Sequence, residues 1–330
     1  MSTRHRHHTW LGTLLAPGLA SILALACALL LGACAPRVEL PAYDDAGRDF
    51  AAFRSRFAGP APAGNGLAVR AVLLYTTPKR SNRTDVQIFG DYARPLRLDV
   101  RAGFGSMLAL MREDGAGLLA YYPDKKKAYA HQDPVTGAQL LGMPFPFALR
   151  DLALILAGHF GTLVPVESAP SRLMSAPGGG FAFAYDRGPV RLLVLDRHGR
   201  PQRMEGQLSQ YFKTQAEREA QAEGAPAPVF KEPRTWSMVF SDYPEEDGDP
   251  EGPARILTLA LPGGESAVLR VRNLDSRNDP WPLKALTLSL PAGTGFMALD
   301  RTTAPPEGVT EIITGGGDND HGQSQGQPRG

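Results

Sequence analysis

The most reactive side chain in this 330-residue sequence is a cysteine that follows aliphatic and small residues. Cys34 comes directly after Leu31-Gly32-Ala33, and its thiol can form a thioether once the peptide ahead of it is removed. That peptide has two arginines among its first six residues and an apolar stretch over residues 10–31. A basic start, an apolar middle and a small-residue end are typical of a secretory signal peptide. The pattern predicts a leader over residues 1–33.

Leu31-Gly32-Ala33-Cys34 resembles a bacterial lipobox, whose cysteine sulfur receives a diacylglyceryl group and whose cysteine becomes the new N-terminus. A membrane-spanning helix is the weaker interpretation, because Pro17, Gly18 and Ser21 interrupt the apolar stretch and no stop-transfer flank follows. Each buried acyl methylene contributes ~0.8 kcal/mol, and two chains hold a protein stably on a bilayer. We therefore predict lipidation at Cys34 and anchoring by acyl chains.

Other reactive side chains are sparse. Cys27 leaves with the leader, so no disulfide is expected, and the remaining histidines are far apart: His131, His159, His198 and His321. This is not the His/Cys-rich pattern of a zinc site. Gly103-Phe104-Gly105-Ser106 matches neither a nucleophile elbow nor a phosphate loop, and no carboxylates are paired for acid–base work. We predict no catalysis, no metal and no cofactor.

The charge balance argues against a nucleic-acid partner. Lys and Arg number 35 and Asp and Glu number 34, and two of the arginines leave with the leader. The processed chain of 297 residues is then nearly neutral, whereas nucleic-acid binding needs a clustered basic excess. We interpret Lys125-Lys126-Lys127 as a solvated turn.

A helix and a long series of strands follow the lipidated tether, which we place at residues 34–43. Residues 44–57 predict a helix, because Phe50, Phe53 and Phe57 fall on one face. Alternating or β-rich runs then predict an antiparallel meander. The predicted strands are 67–75, 84–89, 96–101, 106–111, 118–122, 127–131, 181–185, 190–195, 203–208, 236–240, 254–261, 266–273 and 286–290.

One segment departs from this strand pattern. Residues 147–159 predict a helix that is apolar nearly all round, which in a water-soluble domain indicates a buried helix. About 13 residues are too few to cross a bilayer. We expect it to pack inside the sheet as a plug or lid, giving a mainly β fold within residues 44–300. Residues 213–233 are interpreted as an inserted loop with a partial helix, and residues 301–330 as a disordered tail.

Four motifs in order resemble the LolB family of outer-membrane lipoprotein receptors, within the LolA/LolB lipoprotein-carrier superfamily. They are the lipobox with its aromatic first helix, residues 97–106, the Gly142-Met143-Pro144-Phe145-Pro146 entry to the apolar helix, and residues 236–243. The resemblance covers roughly residues 44–290. It implies an incomplete antiparallel β-barrel of about eleven strands, which encloses or is capped by apolar helices and shelters lipoprotein acyl chains such as palmitate.

The resemblance also implies site residues and partners. Phe104, between Gly103 and Gly105, occupies the place of an apolar residue that the family needs for membrane insertion. The implied lining of the cavity and lid is Leu98, Val100, Met143, Phe145, Leu152, Ile155, Leu156, Trp236 and Phe240. The implied partners are lipoprotein acyl chains, a periplasmic carrier of the LolA type and the periplasmic leaflet of the outer membrane, with the protein a monomer. Ala35 after Cys34 fits outer-membrane sorting.

Two alternatives stay open at this point. The glycines around Phe104 could instead form a tight turn that folds the ring into the core, and the apolar helix could be ordinary core. A non-transferring envelope lipoprotein that holds a glycolipid or another apolar ligand, or scaffolds a complex, would use the same fold. The insertion at 213–233 and the tail from residue 301 depart from the family pattern.

Overall fold

The computed structural model describes residues 43–59, 66–93, 95–226, 234–246, 249–250, 252–300 and 311–312. Within these ranges no helix combines the length and the apolar character needed to cross a bilayer. The predicted leader, Cys34, almost all of the tether and nearly all of the predicted tail lie outside the described residues.

The fold is mainly β, with five helices and one 3-10 turn among the described residues. The helices are α1 (Tyr43–Phe57), α2 (Pro134–Leu140), α3 (Leu149–Leu156), α4 (Gln215–Glu223) and α5 (Leu283–Leu286), with the 3-10 turn at Pro262–Gly264. The strands are β1 (Gly66–Thr76), β2 (Ser81–Asp91), β3 (Leu96–Ala102), β4 (Met107–Asp114), β5 (Gly117–Tyr122), β6 (Lys127–His131), β7 (Arg172–Ser175), β8 (Phe181–Ala184), β9 (Leu192–Leu195), β10 (Pro201–Gln207), β11 (Thr235–Ser241), β12 (Glu245–Glu246), β13 (Asp249–Pro250), β14 (Ile256–Ala260), β15 (Ser266–Arg277), β16 (Gly295–Ala298) and β17 (Glu311–Ile312).

Fifteen of these strands form one open sheet in the order β17-β16-β6-β5-β4-β3-β2-β1-β15-β14-β11-β10-β9-β8-β7. Neighbours are antiparallel except for β16, which pairs in parallel with β6 and β17. The terminal strands β17 and β7 do not pair with each other, so the sheet is not closed. This confirms the predicted incomplete barrel, although the sheet has more strands than the eleven expected.

Strand β1 holds the two halves of the sheet together. It pairs over its whole length with β2, from Gly66 opposite Asp91 to Thr76 opposite Ser81. On its other side it pairs with β15, from Gly66 opposite Arg277 to Thr76 opposite Ser266. The N-terminal meander therefore joins the neighbouring C-terminal strands through a contact between distant parts of the sequence.

The concave face of the sheet packs on α1 and α3. The predicted aromatic face of α1 is confirmed, because Phe53 and Phe57 are buried and the Phe50 ring lies 4.8 Å from that of Phe183. Helix α3 is shorter than the predicted 147–159, but six of its eight residues are buried. It ends because Gly158 adopts a positive φ of 81° and the chain turns there.

One predicted strand is wrong, and several elements were missed, among them α2, β7 and β16. Residues 286–290 do not form a strand: α5 ends at Leu286, and the buried Leu288 packs with Phe296 on the other face of the sheet. A segment that lies across a sheet can contain alternating leucines, and its sequence then looks the same as that of a strand within the sheet. Helix α2 was missed, although its signal is present, because the Asp133 side chain accepts a hydrogen bond from the Thr136 N–H and caps the helix.

Candidate functional site

An apolar cavity of about 360 Å³ lies between the concave face of strands β1–β4 and the loop at residues 141–145. Most of the residues around it are aliphatic, aromatic or Met. Those in the strands are Leu73, Tyr75, Asn82, Thr84, Val86, Ile88, Leu98, Val100, Leu108, Ala109, Met111, Tyr122 and Leu269, and the others are Asp124, Lys125, Leu141, Gly142, Met143, Pro144, Phe145 and Leu152. A site of this size and character suits an apolar ligand.

The structure brings five of the nine predicted lining residues to this cavity and leaves four elsewhere. Leu98, Val100, Met143, Phe145 and Leu152 all border it. The other four are buried in the main core and are not part of the cavity wall: Ile155, Leu156, Trp236 and Phe240.

Aromatic packing accounts for the positions of Trp236 and Phe240. The ring of Phe147 meets that of Trp236 edge to face at 4.9 Å, and the ring of Phe160 meets that of Phe240 at 5.4 Å. These rings fill the part of the concave face that lies under β11. The cavity described above therefore lies on the side of the sheet under β1–β4.

The mouth of the cavity lies where several turns of the sheet meet. Exposed residues at this end of the lining are Asn82, Leu108, Asp124 and Lys125. The Lys125 ammonium sits 5.6 Å above the Tyr122 ring, close enough for a cation–π contact. Burial raises the pKa of Tyr122 to about 12, so its hydroxyl stays protonated. The mouth thus combines apolar side chains with a few polar groups.

Phe104 projects into water at the same end of the sheet. Its side chain is 103 % exposed, so the ring does not fold back into the core. Residues Val100 and Leu108, which flank this turn on β3 and β4, both line the cavity. The turn is held by hydrogen bonds from the Gly105 N–H to the Ala102 carbonyl and from the Ala102 N–H to the Ser106 carbonyl, both 2.8 Å. These hydrogen bonds hold the turn that carries Phe104 at the rim of the cavity.

The turn conformation needs a glycine after Phe104. Gly105 has a φ of 85°, a left-handed conformation that disfavours side chains with a Cβ. A Cβ added at Gly103 or Gly105 would meet nothing within 4 Å, so steric crowding is not the reason for either glycine. The Gly-Phe-Gly sequence allows a sharp turn that presents the ring.

A buried polar contact joins the wall of the cavity to α4. The Tyr75 hydroxyl donates a hydrogen bond of 2.5 Å to Glu265 Oε2, and the Gln215 N–H donates to Glu265 Oε1. Glu265 is only 3 % exposed. Burial, and then the neighbouring Glu265 carboxylate, raise the pKa of Tyr75, so the phenol remains the donor. Glu265 thereby fixes the start of α4 beside the cavity.

Helix α4 lies at the mouth and is attached there mainly by polar contacts. Its own end is stabilised by a capping box between Thr214 and Glu217. Lys79 Nζ lies 2.8 Å from a Glu219 carboxylate oxygen, and the Arg218 guanidinium packs against Gly142 of the lining. The sequence predicted a partial helix in this insertion but not its place at the cavity. The capping-box spacing of Thr214 and Glu217 marks the start of this helix in the sequence, whereas its position depends on contacts with distant residues.

Groups that could support other chemistry are dispersed. No cluster of three or more His, Cys, Asp or Glu suited to a metal occurs among the described residues. His159 contacts the Tyr92 ring at 5.6 Å, and burial lowers the pKa of this histidine.

A Gly-x-Ser-x-Gly pattern that the sequence reasoning missed occurs at residues 322–326, outside the described residues. It follows a polar, glycine-rich stretch, whereas a nucleophile elbow follows an apolar strand.

Comparisons with known proteins give only distant likenesses. No family model matches the chain, and no curated protein matches it. A LolA superfamily protein from Nitrosomonas europaea is similar in structure at 13 % identity, with a TM-score of 0.46, over 74 % of this chain and 97 % of that one. A putative outer membrane lipoprotein-sorting protein domain from Vibrio parahaemolyticus is similar at 13 % identity, with a TM-score of 0.40, over 70 % of this chain and 93 % of that one.

Proposed function

We propose that this protein is a lipid-anchored lipoprotein of the outer membrane, facing the periplasm, which binds acyl chains of other lipoproteins in its cavity and helps to insert them into that membrane. One observation carries the proposal. The apolar cavity opens at the end of the sheet where the fully exposed Phe104 ring projects. A ligand-sized apolar space and an apolar residue on its rim suit the transfer of a fatty chain between protein and bilayer.

The transfer needs no nucleotide. An acyl chain in water gains ~0.8 kcal/mol for each methylene that it buries, so a carrier, this cavity and the bilayer can form a downhill series. The donor in the proposal is a soluble periplasmic carrier of the LolA type. Lipidation of Cys34 would keep the mouth of the cavity close to the receiving leaflet.

Phe104 has a separate role in the proposal. The ring enters the apolar edge of the leaflet and brings the mouth of the cavity against it, so that a chain leaves the protein without crossing water. Val100 and Leu108, on either side of the turn, continue the apolar surface from the ring into the cavity. The same surface therefore serves both docking and release.

A handover assay tests the proposal. The processed chain with Cys34→Ser, which keeps all described residues but cannot be acylated, is mixed with lipoprotein-loaded carrier and then with vesicles. Ala109→Trp should fill the cavity and abolish capture, because Ala109 lines it and is 4 % exposed. Phe104→Glu should leave capture intact and abolish delivery to the vesicles.

Matched controls come from the opposite end of the sheet. Ala116 lies in the exposed β4–β5 turn, and Leu283 is 73 % exposed near Trp281, whose backbone N–H donates to Asp91 at the far end of β2. Ala116→Trp and Leu283→Glu should behave as the parent. Delivery that survives Phe104→Glu would contradict the role of the ring. Capture of lipid without any handover would instead favour the non-transferring envelope lipoprotein.

A further inference from the structure

Basic side chains lie on both sides of the turn that carries Phe104. The exposed Lys and Arg residues at the mouth end of strands β1–β6, which we call the basic rim, are Lys79, Arg80, Arg83, Arg101, Lys125 and Lys126. We infer that the basic rim binds the head groups of anionic phospholipids, so that the protein docks on a negatively charged leaflet in preference to a neutral one. The inference rests on the proposed function, since it specifies the lipid that the Phe104 turn meets.

The order of the strands brings three turns together at this end. The sheet runs β6-β5-β4-β3-β2-β1, and its antiparallel hairpins alternate between the two ends. The Phe104 turn therefore lies between the β1–β2 turn at residues 77–80 and the β5–β6 turn at residues 123–126. Neighbouring strands are about 4.8 Å apart, so each flanking turn is roughly 10 Å from the Phe104 turn. The solvated turn predicted at Lys125-Lys126-Lys127 is thus a direct neighbour of the ring.

Few acids offset the basic rim. Asp124 is the only acid in the three turns, at residues 77–80, 103–106 and 123–126. Acids of the neighbouring α4 are already engaged with cations, since a Glu217 oxygen lies 2.7 Å from Arg234 and a Glu219 oxygen 2.8 Å from Lys79. Exposed ion pairs of this kind are weak and leave their cations free to exchange partners. The turns around Phe104 therefore keep a basic excess.

The opposite end of the same strands has a different charge. The β4–β5 turn contains Asp114, which pairs with Arg112 at 2.9 Å, and the segment after β6 contains Asp133. Residues 114–117 and 132–133 include no Lys or Arg. An anionic surface therefore attracts the mouth end more strongly than the opposite end of these strands. This asymmetry orients the sheet with Phe104 toward the leaflet before the ring makes contact.

The surroundings of the ring favour a leaflet over a protein as the partner. Phe104 is fully exposed, and a Cβ added at Gly103 or Gly105 would meet nothing within 4 Å, so the ring stands alone on its turn. A protein interface instead surrounds an aromatic anchor with closely packed side chains from both partners. A bilayer accepts a single apolar side chain at its acyl boundary and offers anionic head groups at the level of the cations around it.

Binding to vesicles of two compositions tests the inference. Each Lys or Arg near an anionic surface strengthens binding about fivefold, within a Debye length of about 8 Å at physiological salt. Head groups without net charge provide little of this gain. The processed Cys34→Ser chain should therefore co-sediment more strongly with vesicles of phosphatidylcholine mixed with phosphatidylglycerol than with vesicles of phosphatidylcholine alone. Added salt should remove the difference.

The test variant replaces one exposed basic residue from each of the three hairpins. It combines Arg80→Gln, Arg101→Gln and Lys126→Gln, and none of these three residues lines the cavity or forms a salt bridge with another described residue. Because each charge contributes about fivefold, the triple variant should bind the mixed vesicles up to about a hundredfold more weakly. Its binding to phosphatidylcholine alone should match that of the parent.

The matched control removes the same residue types from the opposite end of the sheet. Arg197 in the β9–β10 turn, Arg255 ahead of β14 and Lys284 in α5 are all exposed. The combination of Arg197→Gln, Arg255→Gln and Lys284→Gln changes the net charge equally and should keep the preference for the mixed vesicles. Phe104→Ala should instead weaken binding to both kinds of vesicle, because the ring contributes apolar burial and no charge.

The outcomes separate this inference from the proposed function. Equal binding of the parent to both kinds of vesicle, or equal losses from the two triple variants, would overturn the role of the basic rim and leave insertion through Phe104 intact. Loss of capture from the loaded carrier by the test variant, with its vesicle preference unchanged, would assign the basic rim to the carrier and also overturn the inference. Binding of the parent to neither kind of vesicle would overturn the proposed delivery to membranes itself.

Discussion

Removal of the Phe104 ring should weaken membrane binding without weakening the fold. The ring is 103 % exposed and packs on nothing in the protein, so Phe104→Ala should change the free energy of unfolding by less than about 0.5 kcal/mol. All of its apolar surface is free to enter a bilayer, where burial is worth about 1.5–3 kcal/mol. Since 1.4 kcal/mol is a factor of ten, the partition coefficient should fall roughly ten- to hundredfold.

Co-sedimentation with phospholipid vesicles measures this effect on the processed Cys34→Ser chain, because the lipid anchor would otherwise hide it. Leu283→Ala removes a comparable exposed side chain from the opposite end of the sheet and should leave partitioning unchanged. A decrease in vesicle partitioning of less than twofold for Phe104→Ala, or an equal decrease for Leu283→Ala, would refute the role of the Phe104 ring in membrane binding. Urea denaturation of both variants verifies that the fold is intact.

Three further predictions follow from buried contacts. Gly206→Ala should destabilise the protein by about 1–3 kcal/mol in urea denaturation. The added Cβ would lie 2.2 Å from the Pro189 carbonyl oxygen and 2.6 Å from the Trp236 ring. Gly115→Ala, which has open space around it, should leave the stability unchanged. Burial alone would raise the pKa of Glu217, but hydrogen bonds from Arg234 and Thr214 outweigh it and lower that pKa below 4.5. The stabilisation by Glu217 should therefore be present at neutral pH and be lost as the pH falls below 4.5, so thermal melts of Glu217→Gln and the parent should converge in acid. Glu265→Gln should loosen α4, because the Tyr75 and Gln215 donors lose a charged acceptor. Limited proteolysis should then cut residues 213–226 faster than in the parent. Unchanged cleavage there would show that Glu265 does not hold the helix.

Repeating patterns in the sequence identified most of the elements. The three phenylalanines of α1 lie on one helical face, and strict alternation in residues 96–101 matches β3. Patterns of this kind depend on neighbours a few residues away, and such neighbours are visible in the sequence. Leu288 shows the limit of the approach, because it is buried like a strand residue but belongs to a segment that lies across the sheet.

The site was less predictable than the fold. Leu98 and Trp236 both lie on strands, with their side chains in the main core. The sequences around them follow the same kind of pattern. Leu98 borders the cavity, whereas Trp236 meets the Phe147 ring, so the difference lies in what each residue faces across the interior. The sequence likewise did not determine whether the Phe104 ring is exposed or buried, because glycines on both sides permit either orientation. The structure shows the ring exposed.

The pairing of β1 with β15 has a consequence for how the chain acquires its structure. Residues 66–76 find their second neighbour only at residues 266–277, some two hundred positions later, and contacts of this kind make folding slow. Until that last long strand has joined the sheet, β1 has an unsatisfied edge that can recruit other extended chains. Premature stop codons before residue 266 should therefore yield insoluble material rather than a smaller working barrel.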